Sequence, residues 1–167
     1  LLGKAGEEYI KGGGGSGEVS TAYIRTLYQG LKIKEKEEKI SLYGGLHDFY
    51  AADLAAQFAL GREPGMTKEP TLPQEQLEKA AAFSDTAIVA ICRFSGEGWD
   101  RSCEIKGSES ANVKSFWAEE DSRREAGKEI FQHGDFYLSD EEKNLVCQAK
   151  AHFAHVIVTL NVGGMVD

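Results

Sequence analysis

Two continuously apolar runs dominate the hydrophobic pattern of the chain. The first is Asp85–Arg93 (DTAIVAICR), and the second is 154–164 (AHVIVTLNVGG). Both have the length and the β-branched content of strands. The first run does not alternate with polar residues, so it predicts a parallel strand that is covered on both faces. The second run predicts another strongly apolar strand. The opening segment, Leu1–Tyr9, predicts the end of a further strand and the loop after it.

Segments with helical spacing lie between these runs. Helices are predicted over roughly Thr21–Leu31, over the alanine-rich stretch Asp48–Leu60 and over Gln74–Phe83. A fourth helix is predicted to begin at Ser139, because a glutamate three residues later completes the spacing of a capping box. The region 61–73 holds all three prolines of the chain and therefore predicts a loop.

Strands that alternate with helices predict an α/β fold with an open, mostly parallel sheet, flanking helices and right-handed crossovers. Ligands of such sheets bind beyond the carboxyl ends of the strands. We expect residues 1–167 to form a single partial domain of this kind, truncated soon after its last strand. Residues 102–133 are polar and weakly periodic, which predicts an insertion or a long loop outside the core.

Composition and charge narrow the classes of partner. The formal net charge is -8 at pH 7. An acidic surface repels nucleic acid and anionic membranes, so we expect neither as a partner. The charge does not exclude neutral sugars as ligands. No apolar run approaches the ~20 residues that a membrane-spanning helix requires. We expect a soluble, cytoplasmic protein.

The cysteines indicate neither a disulfide framework nor a zinc site, because they are odd in number and widely spaced: Cys92, Cys103 and Cys147. Cys92 and Cys147 lie in apolar segments and are expected to be buried thiols. A reducing compartment is favoured. We expect no metal ion and no cofactor.

The glycine-rich stretch Gly12–Gly17 (GGGGSG) allows three interpretations. It could be a flexible linker. It could be a dinucleotide fingerprint, because Gly12, Gly14 and Gly17 match G-x-G-x-x-G, although about ten residues separate it from the preceding strand. It could also be a loop in which glycine lets the backbone approach a ligand closely. The residues alone leave all three open.

The loop after the first apolar run contains Glu97 between two glycines, with Trp99 close behind. An apolar neighbour such as Trp99 raises the pKa of a carboxyl group by desolvation, as a general acid at neutral pH requires. Trp99 could also stack against a sugar face, and Asp100 and Arg101 could pair and anchor the loop. The alternative is a solvent-exposed turn glutamate, which the local pattern alone favours.

Four segments favour a catalytic role for Glu97 over an exposed turn residue. In chain order they are KGGGGSGEV, AIVAICRFSGEGWDR, GDFYLSDEEKNLV and VIVTLNVGGMVD. Together they resemble the second, α/β-sandwich domain of glycoside hydrolase family 3, the family of β-glucosidases and related exo-glycosidases. The resemblance implies that Glu97 is the catalytic acid/base. It also implies that the glycine-rich loop faces the active-site entrance through Gly14, Gly15 and Ser16.

Two departures from the family qualify the function that the resemblance implies. The stretch 102–133 is longer than the expected link, which suggests a lid, a partner-facing insertion or a tolerated surface loop. The nucleophilic aspartate of the family lies on a separate (β/α)8 barrel, which is missing from this chain. Because retaining hydrolysis needs two carboxyl groups roughly 5 Å apart, we expect the isolated chain to be inactive.

The sequence therefore predicts the acid/base-bearing domain of a retaining β-glycosidase that hydrolyses terminal β-linked sugars. Its partners would be a carbohydrate substrate and the barrel domain of a parent protein. Two alternatives remain open. One is a nucleotide- or dinucleotide-binding module that uses the glycine-rich loop, and the other is a non-catalytic association domain.

Overall fold

A computed structural model of the protein describes residues 1–13, 15–96 and 127–167. The regular elements of these residues are, in chain order, α1 (Leu27–Lys36), α2 (His47–Ala59), α3 (Gln74–Phe83), β1 (Thr86–Arg93), α4 (Asp140–His152) and β2 (His155–Val162). Short 3-10 turns lie at Lys4–Gly6 and Gly15–Gly17. The fold is α/β, with an open parallel sheet and flanking helices, as the sequence predicts.

The two strands pair in parallel, from Thr86 opposite His155 to Arg93 opposite Val162. The N-terminal segment pairs with the other edge of β1 through Leu2, whose backbone N–H donates to the carbonyl oxygen of Ile88 at 2.8 Å. Strand β1 therefore lies between two parallel neighbours. In the opening segment, where the sequence predicts the end of a strand, the described structure has this single parallel bridge followed by a 3-10 turn.

Strand β1 is covered on both faces. Its residues Val89 and Ile91 face a core to which α3 and α4 contribute Leu77 and Leu145, among others. The opposite face carries Ala90 and Cys92, which pack against Ala5 in the first turn of the chain. Burial raises the pKa of the Cys92 thiol to about 12, so the thiol is protonated and unreactive at neutral pH.

Strand β2 is not covered in the same way. Ile157 is 51% exposed, Val158 45% and Leu160 53%. Successive residues of a strand point to opposite faces, so Ile157 lies on one face and Val158 and Leu160 lie on the other. Both faces of β2 are therefore partly open among the described residues. The prediction that β1 is covered on both faces is confirmed, whereas β2, which the sequence predicts only as a strongly apolar strand, is much less buried.

The helices agree with the sequence where their signals are local. Helix α3 has the predicted bounds. At the start of α4, the Ser139 hydroxyl accepts a hydrogen bond from the Glu142 N–H, and the Glu142 carboxylate accepts one from the Ser139 N–H. The capping box is therefore confirmed. No helix of the described ranges is long and apolar enough to cross a membrane.

Two predictions from apolar patterning are wrong. Helix α1 begins several residues later than expected, because Thr26 and Gln29 form a capping box there and residues 18–25 before it are exposed and irregular. Cys147 is exposed rather than buried, since Leu145 and Ala149 form the inward face of α4 and Cys147 lies on the other side.

Candidate active site

The carboxyl ends of β1 and β2 form one edge of the sheet, and the glycine-rich loop meets it there. Gly13 lies against the segment after β1: a Cβ on Gly13 would be 3.3 Å from the Ser95 carbonyl oxygen and 3.6 Å from the Gly96 Cα. Gly163, just after β2, lies so close to Ser95 that a Cβ would be 2.6 Å from its Oγ. A side chain at Gly163 would therefore clash. Three segments of the chain converge at this edge.

Asn161 attaches the start of the glycine-rich loop to β2. Its Oδ1 accepts a hydrogen bond from the Ile10 N–H at 2.7 Å, and its Nδ2 donates to the Ile10 carbonyl oxygen at 3.2 Å. Sequence reasoning missed this residue. The available signal was a single amide within an otherwise apolar strand, since a half-buried amide normally has hydrogen-bond partners.

A buried carboxylate, Glu8, lies below the same loop. Its Oε2 accepts hydrogen bonds from Lys4 Nζ at 2.7 Å and from Thr67 Oγ1 at 2.8 Å. Its Oε1 accepts from the Gly65 N–H at 2.9 Å. Burial by itself lowers the pKa of Lys4, but the neighbouring Cys92 and Glu8 outweigh burial and raise that pKa. The cluster ties the chain before the glycine-rich loop to the proline-containing loop 61–73.

A second buried carboxyl group, Glu69, completes this cluster. Its Oε2 accepts a hydrogen bond from the Lys4 backbone N–H at 3.0 Å. Its Oε1 is buried without a hydrogen-bond partner in the part of the chain that the structure describes. Burial raises the pKa of Glu69 to about 8, although Lys4 opposes this shift. The group is therefore largely protonated at neutral pH.

On the other face of the sheet, Arg93 closes β1 with a buried ion pair. Its guanidinium donates to both carboxylate oxygens of Glu142, each at 2.6 Å. It also donates to the carbonyl oxygens of Asp135 at 3.1 Å and Tyr137 at 2.9 Å. The ring of Phe131 lies 4.5 Å from the guanidinium carbon. Arg93 thus joins the end of β1 to the segment that leads into α4.

Most of the site residues expected from the sequence lie outside the described residues: Gly14, Glu97, Trp99, Asp100 and Arg101. The same holds for residues 102–126 of the expected insertion. Gly15 and Ser16 are described, are exposed and form a short turn, in which Gly15 has a φ of 72°. At 130 and 131, the described end of that stretch contributes a buried Ile and a buried Phe.

The surroundings of the glycine-rich loop do not support two of its interpretations. A dinucleotide site places its glycines at the N-terminus of a helix that binds the pyrophosphate. Here residues 18–26 are irregular, and the next helix begins only at Leu27. A free linker would not be held by contacts such as those of Gly13 with Ser95. Within residues 1–13, 15–96 and 127–167, no group of three or more His, Cys, Asp and Glu side chains could hold a metal ion.

Comparison with protein families gives a match over the whole chain. The family described as "Glycosyl hydrolase family 3 C-terminal domain" matches residues 1–167. Beta-glucosidase A from Butyrivibrio fibrisolvens is 48% identical over 167 residues, which are 100% of this chain and 19% of that protein. A beta-glucosidase from Ruminococcus albus is 26% identical over 171 residues, which cover 100% of this chain and 15% of that protein. The chain thus spans less than a fifth of the length of these relatives.

Solved structures of longer proteins contain a similar fold. Beta-glucosidase 3B from Thermotoga neapolitana, in complex with glycerol, gives a TM-score of 0.69 at 26% identity, over 99% of this chain and 20% of that one. A beta-glucosidase from Paenibacillus barengoltzii gives a TM-score of 0.70 at 23% identity, over 99% of this chain and 15% of that one. The second comparison supports the fold alone.

Proposed function

The chain belongs to glycosyl hydrolase family 3, whose C-terminal domain it matches throughout, and on this premise we propose that it carries the acid/base carboxyl group of a retaining β-glycosidase. The proposed substrates are terminal β-linked sugars, and Glu97 is the proposed proton donor. One contact supports this assignment most directly. Gly13 lies against Ser95 and Gly96, so the glycine-rich loop meets the chain at the residue that directly precedes Glu97.

The proposed chemistry uses Glu97 twice. In the first step its carboxyl group donates a proton to the glycosidic oxygen, while a nucleophilic carboxylate attacks the anomeric carbon and the leaving group departs. In the second step the resulting carboxylate accepts a proton from water, and that water releases the sugar from the covalent intermediate. The nucleophile would be an aspartate on a (β/α)8 barrel elsewhere in a longer polypeptide. The isolated chain would then show no appreciable turnover.

The remaining sequence-derived residues have supporting roles in this proposal. Gly14, Gly15 and Ser16 would approach the sugar from the glycine-rich loop, and Trp99 would stack on a sugar face. Asp100 and Arg101 would pair and anchor the acid/base loop. The exposure of Gly15 and Ser16 is consistent with a loop that a ligand can reach. The beta-glucosidase 3B of T. neapolitana has also been solved in complex with glucose.

Residues 1–167 would form one partial domain, in which 102–133 is an insertion. The burial of Ile130 and Phe131 indicates that at least the end of this insertion returns to the core. The insertion itself has no role in the proposed chemistry. Its removal would leave Glu97 and the glycine-rich loop in the chain.

Leaving-group dependence tests the role of Glu97 in the full-length polypeptide that contains this sequence. An acid is needed when the departing group is a poor one and matters little when it is an acidic phenol. Glu97→Gln should therefore lower kcat/KM for a β-glucoside with a poor leaving group by about 10²–10⁴-fold. Hydrolysis of dinitrophenyl β-glucoside should lose far less in its first step. Glu78→Gln, at an exposed glutamate of α3, is the matched control.

Two outcomes would contradict the proposal. One is an equal loss for both leaving groups, or no loss for either, in Glu97→Gln. The other is robust hydrolysis of an aryl β-glucoside by the purified 167-residue chain, which would show that no second domain is needed for turnover.

A further inference from the structure

We propose that Asn161 is a positioning residue that holds the glycine-rich loop in its sugar-binding arrangement. The inference rests on the proposed function for the identity of the ligand. The anchoring itself rests only on described contacts. Asn161 lies in β2, and the loop begins beside Ile10, so this connection joins two parts of the chain that are 151 positions apart.

The amide of Asn161 is unusual in its strand. Its neighbours Leu160 and Val162 are apolar, and its register partner is the buried Cys92. A half-buried polar side chain costs free energy unless it is hydrogen-bonded, so an apolar residue would serve the strand equally well. The amide instead satisfies both backbone groups of Ile10. The side chain of Asn161 thus makes the two hydrogen bonds to Ile10 that the backbone of a neighbouring strand would otherwise make.

The position of Ile10 makes this anchor relevant to the loop. Ile10 packs against the small cluster around Ala90 and Cys92, so its side chain and its backbone are both held. Shortly after Ile10, Gly13 reaches Ser95 and Gly96 at the edge of the sheet. The anchor therefore fixes the start of the loop relative to the segment that precedes Glu97.

The glycine-rich loop has little intrinsic order without such an anchor. Glycine loses more conformational entropy on ordering than any other residue, and this stretch contains five. Its described residues Gly12, Gly15, Ser16 and Gly17 are exposed, so packing contributes little to their order. A loop that samples many conformations binds a ligand more weakly, because only the fraction of molecules in the binding-competent conformation can bind it. Fixing one end raises that fraction.

Thr159 offers a matched control on the same strand face. It is half-buried like Asn161 and lies two positions earlier, but its Oγ1 donates within the sheet, to the Val89 carbonyl oxygen at 3.4 Å. Loss of the Thr159 hydroxyl should disturb β2 without releasing Ile10. Any effect that is specific to Asn161 then belongs to the loop.

The test uses the full-length polypeptide with Asn161→Ala, Asn161→Asp and Thr159→Val. Hydrogen–deuterium exchange reports the order of residues 10–17, and steady-state hydrolysis of an aryl β-glucoside reports KM and kcat. Asn161→Ala should raise exchange in the loop and raise KM about tenfold, with kcat changed by less than about twofold. Asn161→Asp keeps the acceptor for the Ile10 N–H but loses the donor, so it should give intermediate values. Thr159→Val should leave both readouts near the wild type.

Unchanged loop exchange in both Asn161 variants would overturn the inference, as would an equal response in Thr159→Val. Raised exchange with an unchanged KM would also overturn it, because the loop would then have no role in binding. If Asn161→Ala does not fold, Asn161→Asp supplies the same comparison. The exchange measurement needs no substrate. A wild-type protein without glycosidase activity would therefore contradict the proposed function, while raised exchange in Asn161→Ala would still support the anchor.

Discussion

Strands β1 and β2 are neighbours with similar apolar sequences but very different surroundings. Val89 and Val158 are direct register partners, yet Val89 is fully buried and Val158 is 45% exposed. An apolar run thus predicts that a strand needs cover on both faces, as β1 has. It does not predict that the same chain supplies this cover for β2. The open faces of β2 form an apolar surface of the kind that other protein segments cover.

The difference arises from the neighbours of each strand. Strand β1 pairs on one edge with Leu2 and on the other with β2, and helices and the first turn of the chain cover its faces. Strand β2 pairs only with β1 in the described ranges. One open face of β2 borders an apolar cavity of about 230 Å³. This cavity is lined by Leu160 of β2, by Val146 of α4 and by Leu138, which lies just before α4.

The largest difference in stability between the two strands is expected for substitutions of Arg93 in β1 and of its register partner Val162 in β2. Arg93→Met leaves the buried Glu142 carboxylate without its charged partner, which should lower the free energy of unfolding by about 3–5 kcal/mol. Val162→Met, at a half-buried position, should change it by less than about 1 kcal/mol. Urea denaturation of both variants measures the difference. Equal effects at the two positions would show that the two strands are not differently packed.

The most closely matched test truncates the two register-paired valines. Val89→Ala removes buried methyl groups and leaves a cavity, so it should cost about 2 kcal/mol of unfolding free energy. Val158→Ala should cost less than about 1 kcal/mol, because much of its side chain already contacts water. Thermal and urea unfolding of the two variants provide the values. A cost for Val158→Ala as large as that for Val89→Ala would contradict the exposure of β2.

A pH test addresses the ionisable cluster on the packed side of the sheet. The pKa of Glu69 rises from an ordinary 4.5 to about 8 in the folded protein. The folded state therefore binds more protons than the unfolded state between these values, and stability should fall as the pH rises from 5 to 8. A shift of this size corresponds to a loss of roughly 3 kcal/mol between pH 5 and pH 8. Urea unfolding at both pH values measures it, and Glu69→Gln should remove most of the slope. An unchanged slope in Glu69→Gln would assign the pH dependence to another group.

The smallest effects are expected at two capping boxes with the same chemistry. Helix α4 packs on β1 and its cap Ser139 is buried, whereas α1 has no buried residue and its cap Thr26 is only half-buried. Ser139→Ala should cost about 1–2 kcal/mol and Thr26→Ala about 0.5 kcal/mol. Urea unfolding distinguishes these values. A larger cost at Thr26 would mean that burial does not set the strength of these caps.

The sequence by itself determined the features that depend on neighbouring residues. The bounds of α3, the capping box at Ser139 and the strand β1 all follow from local spacing or from a continuous apolar run. Helix α1 shows the limit of this reasoning. Its apolar positions predicted an earlier start, but the reciprocal hydrogen bonds of Thr26 and Gln29 decided where it begins.

Only the tertiary structure decided which distant residues meet. The partners Arg93 and Glu142 are 49 positions apart, and Asn161 and Ile10 are 151 positions apart. No periodicity encodes such pairs, because a charged or amide side chain in an apolar run shows a need for a partner without identifying it. The same reason explains the exposure of β2. Its apolar residues indicate that the strand should be buried, but only the packing of the surrounding chain determines how much of its surface is covered.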